Sequence, residues 1–233
     1  MGKNLLSIDW DYFIPIKREW RGSYIENKKN IVYMWYRRYF KGIERGENIA
    51  KSIKTGKILV GFWKRLKQHF VIKKKTKICV SDSHKISYYI AENDNCDKVV
   101  NFDSHSDLGY GGMKSLDFEV NCANWLGKLL KNRTVKKAVV VYSPYTYENK
   151  EDFKEINDKF DVSFPKMGDL KGRTPVDYVH ICRSGSWTPP WLDYKFYEFI
   201  SALNRPCEIV NCPERRWNPE KLTLSDKIIL RVG

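Results

Sequence analysis

No apolar run in the 233 residues is long enough to span a bilayer, so a transmembrane helix is excluded. No cysteine pair stands at Cys-x-x-Cys spacing, which removes zinc-finger frameworks. Cys79, Cys96, Cys122, Cys182, Cys207 and Cys212 therefore read as reduced, mostly buried thiols. No internal period suggests a solenoid, and collagen-like and coiled-coil patterns are absent. The opening stretch to Asp11 carries two acids within its first apolar run, unlike a secretory signal, so a cytoplasmic protein is expected. No Pro/Gly-rich linker divides the chain. Residues 164–175, with two glycines, read as a long surface loop, so one domain over 1–233 is expected.

What is present is a globular composition, with 42% hydrophobic and 14% aromatic residues. The 42 basic residues outnumber the 28 acidic ones, giving +14. A nucleic acid, an acidic peptide or an anionic membrane surface would each use that charge. A general lysine bias that makes every surface basic accounts for it equally well. The Lys28–Lys29 and Lys73–Lys75 runs read as solvated faces.

Residues 3–8 form a short apolar run ending in Asp9-Trp10-Asp11, a buried strand with acids at its C-terminal end. Residues 30–40 read as an aromatic, basic helix and 57–70 as a basic amphipathic one. Strands are then predicted at 76–80, 98–102, 137–142 and 177–182, alternating with helices at 85–92, 123–130, 151–160 and 192–203. Further strands are expected at 207–210 and 227–232. This alternation predicts an α/β fold, a three-layer αβα arrangement around a mainly parallel sheet. Runs such as Ala138-Val139-Val140-Val141 suit a sheet covered on both faces.

The strongest chemical feature is Asn101-Phe102-Asp103-Ser104-His105-Ser106-Asp107. In extended backbone, residues two apart point to one side, so Asp103, His105 and Asp107 would converge at a strand's C-terminal end. Open α/β sheets bind ligands there. Asp9 and Asp11 repeat the design after the first strand, and His84 opens the helix after 76–80. Gathering such groups without a cation costs repulsion and desolvation. Four carboxylates and two imidazoles, with no thiolate, suit Mn²⁺, Fe²⁺ or Zn²⁺. Six ligands exceed one catalytic zinc site and suit two ions about 3.5–4 Å apart.

These segments resemble the ureohydrolase (arginase-like) superfamily, which shares its fold with the histone deacetylases. Val80-Ser81-Asp82-Ser83-His84 is similar to the Gly-Gly-Asp-His segment, Asn101–Asp107 to the Asp-Ala-His-x-Asp motif, and Ser7-Ile8-Asp9-Trp10-Asp11 to the Ser-x-Asp-x-Asp motif. The resemblance implies one metal held by His84, Asp103, Asp107 and Asp9, and another by Asp103, His105, Asp9 and Asp11. The Asp-x-Asp strand comes last in ureohydrolases and first here, for which a circular permutation is the simplest account.

A closer likeness is to the divergent branch containing the peptide arginases of ribosomal-peptide modification. Asn121-Cys122-Ala123-Asn124-Trp125, Arg183-Ser184-Gly185-Ser186-Trp187-Thr188-Pro189-Pro190 and Asp11-Tyr12-Phe13 carry it, whereas residues 28–70 match no known motif. It implies a Mn²⁺-dependent hydrolase acting on amidine C–N bonds. Water activated between two metals would attack the guanidinium carbon of a peptidyl arginine, leaving urea and peptidyl ornithine. Asp107, Asn124 and Arg183 are then candidate catalytic residues, and Asn121, Ser184, Trp187 and Asp193 candidate substrate contacts. Asn121, Asn124 and Trp125 serve equally as a helix cap and a core tryptophan.

A guanidinium pocket needs a carboxylate fork, for which Asp193, Glu198 and Glu208 are the local candidates. His180, inside a predicted strand, reads as a core residue and not a proton shuttle. The expected partner is an arginine-containing peptide, steered by an acidic leader. Two alternatives are a hydrolase of this fold acting on a small guanidino or acyl-amine substrate, and a basic nucleic-acid binder. The latter would use Tyr33, Trp35, Tyr36, Tyr39 and Phe40 for stacking, with Arg37, Arg38 and Lys41 for phosphate.

Overall fold

Seven strands build the sheet: β1 (Lys3–Asp9), β2 (Phe70–Ser81), β3 (Cys96–Asp103), β4 (Lys137–Tyr142), β5 (Asp161–Ser163), β6 (Thr174–Cys182) and β7 (Glu208–Val210). In the computed structural model, which describes residues 2–20, 26 and 31–232, all of them are parallel, in the order β5-β4-β3-β1-β6-β2-β7. The helices are α1 (Ile31–Glu44), α2 (Ile49–Ser52), α3 (Phe62–His69), α4 (Ile86–Asn93), α5 (Trp125–Lys131), α6 (Lys154–Asn157), α7 (Asp193–Ser201) and α8 (Leu224–Val232). Lys28, Lys29 and Asn30 lie outside the described residues.

Strand alternation divides the interior into two layers. Leu6 and Ile8 of β1, Val100 and Phe102 of β3, Val139 and Val141 of β4, and Val179 and Ile181 of β6 pack under α2, α3 and α7. Their neighbours Leu5, Val99, Ala138, Val140 and Tyr178 pack under α4, α5 and α6. Both faces are thus covered, as a parallel sheet requires, and the architecture is the expected three-layer α/β sandwich.

Several local assignments differ from expectation: β5 is not among the expected strands, and the helix expected over 151–160 is a 3₁₀ turn, Lys150–Phe153, followed by the short α6. Residues 227–232 belong to helix α8, because Thr223 and Asp226 exchange a capping box: Asp226 N–H donates to Thr223 Oγ1 at 3.2 Å and Thr223 N–H to Asp226 Oδ2 at 2.9 Å. The helix expected over 57–70 begins only at Phe62. β2 starts at Phe70 instead of residue 76, and its pairing with β6 breaks register between Ile72 and Lys77, where Lys73–Lys75 bulge outward. No helix among the described residues is long and apolar enough to cross a membrane. None of the six cysteines is in a disulfide; three are buried and three half-buried.

β1 is the central strand, flanked by β3 and β6, and its end sets the site. Past Asp9 the chain enters a 3₁₀ turn, Trp10–Phe13, which Asp9 caps by accepting the Asp11 N–H at 2.9 Å. Trp10 and Phe13 anchor that turn among aromatics. Phe13 meets Phe62 edge-on at 4.8 Å, and Trp10 meets Phe196 at 5.4 Å. Such pairs contribute about 0.5–1.5 kcal/mol each beyond burial. Asp11, between them, is thereby fixed beside the end of β3.

Candidate metal centre

Asp9, Asp11, His84, Asp103, His105 and Asp107 meet at the C-terminal ends of β1, β2 and β3. His84 Nδ1 lies 2.8 Å from Asp107 Oδ2, 3.0 Å from Asp103 Oδ2 and 3.2 Å from Asp9 Oδ2. His105 Nδ1 lies 2.9 Å from Asp11 Oδ2 and 3.5 Å from Asp103 Oδ1. Two groups of potential ligands result, Asp9–His84–Asp103 and Asp11–Asp103–His105. They share Asp103, which turns one oxygen toward each. Asp9 stays with the first group, because its Oδ1 accepts the Asp11 N–H.

Convergence is achieved differently from strand alternation. β3 ends at Asp103, and the chain then turns. His105 N–H donates to Asp103 Oδ1 at 2.9 Å, and Ser104 N–H to Asp11 Oδ1 at 3.1 Å. Asp107 adopts a left-handed backbone, φ +55°, uncommon for a residue with a side chain. Its carbonyl accepts the N–H groups of Leu126 and Gly127 at 3.1 and 3.2 Å, which ties the loop to the start of α5. Gly127 is needed there, since a Cβ would sit 2.3 Å from the Leu108 carbonyl oxygen.

The side chains of the cluster are oriented from behind. Trp125 Nε1–H donates to Asp107 Oδ2, and its ring packs 4.9 Å from that of His84. Asn101 Nδ2 donates to Asp103 Oδ2 at 3.1 Å. Ser184, also left-handed with φ +50°, donates its hydroxyl to Asp9 Oδ2. Strained backbone at two positions touching one cluster is a mark of a functional site.

The electrostatics call for a cation. Burial opposes ionisation of Asp107, and the neighbouring Asp103 charge adds to it, so the Asp107 pKa is pushed up to about 7. Burial, with the charges of Asp9 and Asp103, raises Asp11 well above the usual carboxylate range. Asp103 goes the other way: burial acts to raise it, but hydrogen bonds to His105 and His84 pull it below the usual range. Burial works against charge on both histidines, yet Asp107 at His84 and Asp11 at His105 raise them well above ordinary values. Protons thus occupy positions that a divalent ion would take, and hard oxygen donors with two imidazoles fit such an ion. The cluster has the burial and donor chemistry of a metal site.

A small cavity of about 50 Å³ opens above the cluster, walled by Tyr110, Cys122, Ala123, Ser184 and Trp187. His105 and Trp187 also border a second hollow lined by Ile14, Ile16, Tyr145, Thr146, Tyr147 and Glu148. Glu148 accepts the Ser106 N–H at 2.8 Å and the Tyr110 hydroxyl. Its pKa is raised by burial, against the nearby His105 charge.

Of the remaining predicted site residues, Ser184 and Trp187 line the cavity, and four do not. Arg183 is fully buried, with Nε 2.8 Å from Asp82 Oδ1 and Nη1 3.4 Å from Asp193 Oδ2. Asp193 is taken by Arg183 and Arg215, away from the cavity walls. A catalytic Arg183 and a substrate-binding Asp193 are therefore corrected to scaffold. Their ion pairs hold the 183–190 loop, with Asp82 also accepting the Gly185 N–H at 3.1 Å.

Asn124 accepts the Asn121 N–H at 2.8 Å and donates to the Ser115 and Glu119 carbonyls, while Asn121 accepts the Ala123 N–H. Both asparagines shape the turn into α5 instead of facing the cavity. Glu198 and Glu208 are exposed on α7 and β7.

The aromatic face proposed for stacking on nucleic acid is engaged internally. Trp35 is buried with its Nε1–H on the Gly185 carbonyl, and Tyr36 stacks on Trp217 at 4.4 Å. Sequence reasoning missed Ser7, Ser87, Asp82 and Glu148. Ser7, a polar residue at an inward position of an apolar strand, was the readable signal. No family model matches the chain, and neither curated proteins nor solved structures give a match.

Proposed function

We propose that the chain is a binuclear metal hydrolase, using Mn²⁺, that cleaves the guanidino group of arginine within a peptide to release urea and leave ornithine. The observation that carries this reading is the sharing of Asp103 between two histidine–carboxylate groups at 3.0 and 3.5 Å. His84, Asp9, Asp103 and Asp107 would hold one ion, and His105, Asp11 and Asp103 the other. When bound, a pair of divalent ions supplies activated water at neutral pH and charge neutralisation.

This chain's own residues do the rest. Trp125 and Ser184 hold the carboxylates of Asp107 and Asp9 in place. Trp187 walls the cavity and Glu148 stands in the adjoining hollow, a carboxylate outside the ligand set available to a cationic side chain. The choice of a peptide over free arginine rests on the resemblance carried by residues 121–125 and 183–190. The permuted motif order is no obstacle, since β1, β2 and β3 deliver their ligands to one sheet end whatever their order in the chain.

The test is urea release by the Mn²⁺-loaded protein from free arginine, agmatine and an arginine-containing peptide, with mass spectrometry for a loss of about 42 Da. Urea from the peptide supports the reading. Urea from the small compounds alone reassigns the substrate, and metal-loaded protein inert on all three rejects a guanidino hydrolase.

A further inference from the structure

One level behind the cluster, the face of the sheet under α4 carries a polar row where apolar residues are expected. Ser7 of β1 pairs in register with His180 of β6 on one side and Asn101 of β3 on the other; Ser81 of β2, two residues past Cys79, the register partner of His180, reaches the His180 ring from the same face. Ser87 of α4 sits above it. Ser7, Ser81, Ser87 and His180 are all fully excluded from solvent. Burying that many hydroxyls beside an imidazole is costly unless each is satisfied in a defined direction.

The directions can be deduced. The Ser81 hydroxyl donates to the Ser83 carbonyl at 2.9 Å, an atom that only accepts. Its proton is thereby used, so at 2.8 Å it must accept from His180 Nε2–H. Both ring nitrogens of the fully buried His180 meet serine hydroxyls and no carboxylate, so the ring is neutral and, with Nε2 protonated, Nδ1 bears a lone pair. Ser87 must then donate to Nδ1 at 2.6 Å, and accept from the Ser7 hydroxyl at 2.8 Å. Ser7, its proton spent, accepts from His84 Nε2–H at 2.6 Å.

We infer that His180, through Ser87 and Ser7, is a positioning residue that holds the proton of His84 on Nε2 and so turns the Nδ1 lone pair toward a metal among Asp9, Asp103 and Asp107. This rests on the metal reading above. The relay ends on a buried backbone carbonyl, so it has no outlet for protons and orients instead of conducting.

The experiment uses the full chain labelled with ¹⁵N in its histidine rings, with Zn²⁺ as a diamagnetic probe. In metal-free protein at pH 7, long-range ¹H–¹⁵N spectra should show His180 as the neutral Nε2–H tautomer. With Zn²⁺, His84 should keep Nε2–H and shift at Nδ1. Ser87→Ala and His180→Phe, checked for folding by circular dichroism, should bind Zn²⁺ about 10–100-fold more weakly in chelator competition. His180→Gln, which keeps a donor and an acceptor, should recover part of that loss. His180 found charged or as the Nδ1–H tautomer overturns the inference, as does native Zn²⁺ affinity in folded Ser87→Ala. Absence of Zn²⁺ uptake by the unaltered protein rejects the metal reading and the inference with it. That failure is distinguishable, because the His180 tautomer is read without metal.

Discussion

Asp103 sets its Oδ2 3.0 Å from the Nδ1 of His84, two buried groups brought together from the ends of β3 and β2. Its other oxygen is turned to His105, so one carboxylate belongs to both ligand groups. Asp103→Asn keeps the shape but removes the charge that both groups need. Bound metal, measured by elemental analysis after gel filtration, should fall from two equivalents of Mn²⁺ per chain to less than one. Retention of both equivalents would show that Asp103 is not the shared ligand.

Metal should also stabilise the fold, because an ion that binds only the native state adds RT ln(1 + [L]/Kd). At a hundredfold excess over Kd that is about 2.7 kcal/mol, or on the order of 5–10 °C in Tm for a chain of this size. Scanning calorimetry with Mn²⁺ and then with excess EDTA should show the gain and its reversal. Equal melting temperatures in both would contradict a structural coupling of the site.

The pH dependence of the metal-free protein has a definite sign. Asp107, raised to about 7, binds its proton more tightly when folded than when unfolded. The stability this contributes is complete below about pH 4, the unfolded carboxylate range, and is lost as pH climbs through 7. Raised values at His84 and His105 act in the same direction, with the loss falling above the usual histidine range. Metal-free Tm should therefore fall from pH 5 to pH 8, while Mn²⁺ affinity rises as competing protons leave. Asp107→Asn should flatten the Tm slope. A slope unchanged by that substitution would place the titration elsewhere.

Much of this arrangement was legible in the sequence, and the gaps have physical causes. β1, β3, β4 and β6 declare themselves by Val/Ile/Leu runs, since strands buried on both faces leave little room for other residues. The six candidate ligands stand out because acids and imidazoles directly after such runs are unusual. β2 was only half visible, because the Lys73–Lys75 bulge interrupts it with charges. α8 was hidden by its β-branched residues, although Thr223 and Asp226 gave the cap.

Arg183 and Asp193 misled for a different reason. A charged residue at a strand's end reads the same whether it faces a cavity or a buried counter-ion. Only the distances to Asp82 and Arg215 separate the two.

That distinction can be measured. Arg183→Met leaves Asp82 without its buried cation, and breaking such a pair costs about 3–5 kcal/mol, or on the order of 10 °C in Tm. Circular dichroism melts should show that loss in both metal-free and metal-loaded protein. A variant that melts normally but has lost turnover would instead return Arg183 to the reacting centre.

Trp125 offers the cleanest separation of packing from ligand control. Its ring is fully buried and its Nε1–H donates to Asp107 Oδ2, the oxygen nearest to His84 Nδ1. Trp125→Phe keeps an aromatic ring in the α5 core and deletes the donor. Groups that orient a ligand in this way typically change metal affinity by about 10–100-fold when removed. Mn²⁺ binding by chelator competition should weaken by that factor, and the Tm gained on adding metal at fixed concentration should shrink, since it follows the ratio of ligand to Kd. The metal-free melt is the control, because it reports the smaller ring alone. If metal affinity stays native while that melt drops, Trp125 fills space and Asp107 needs no orienting donor.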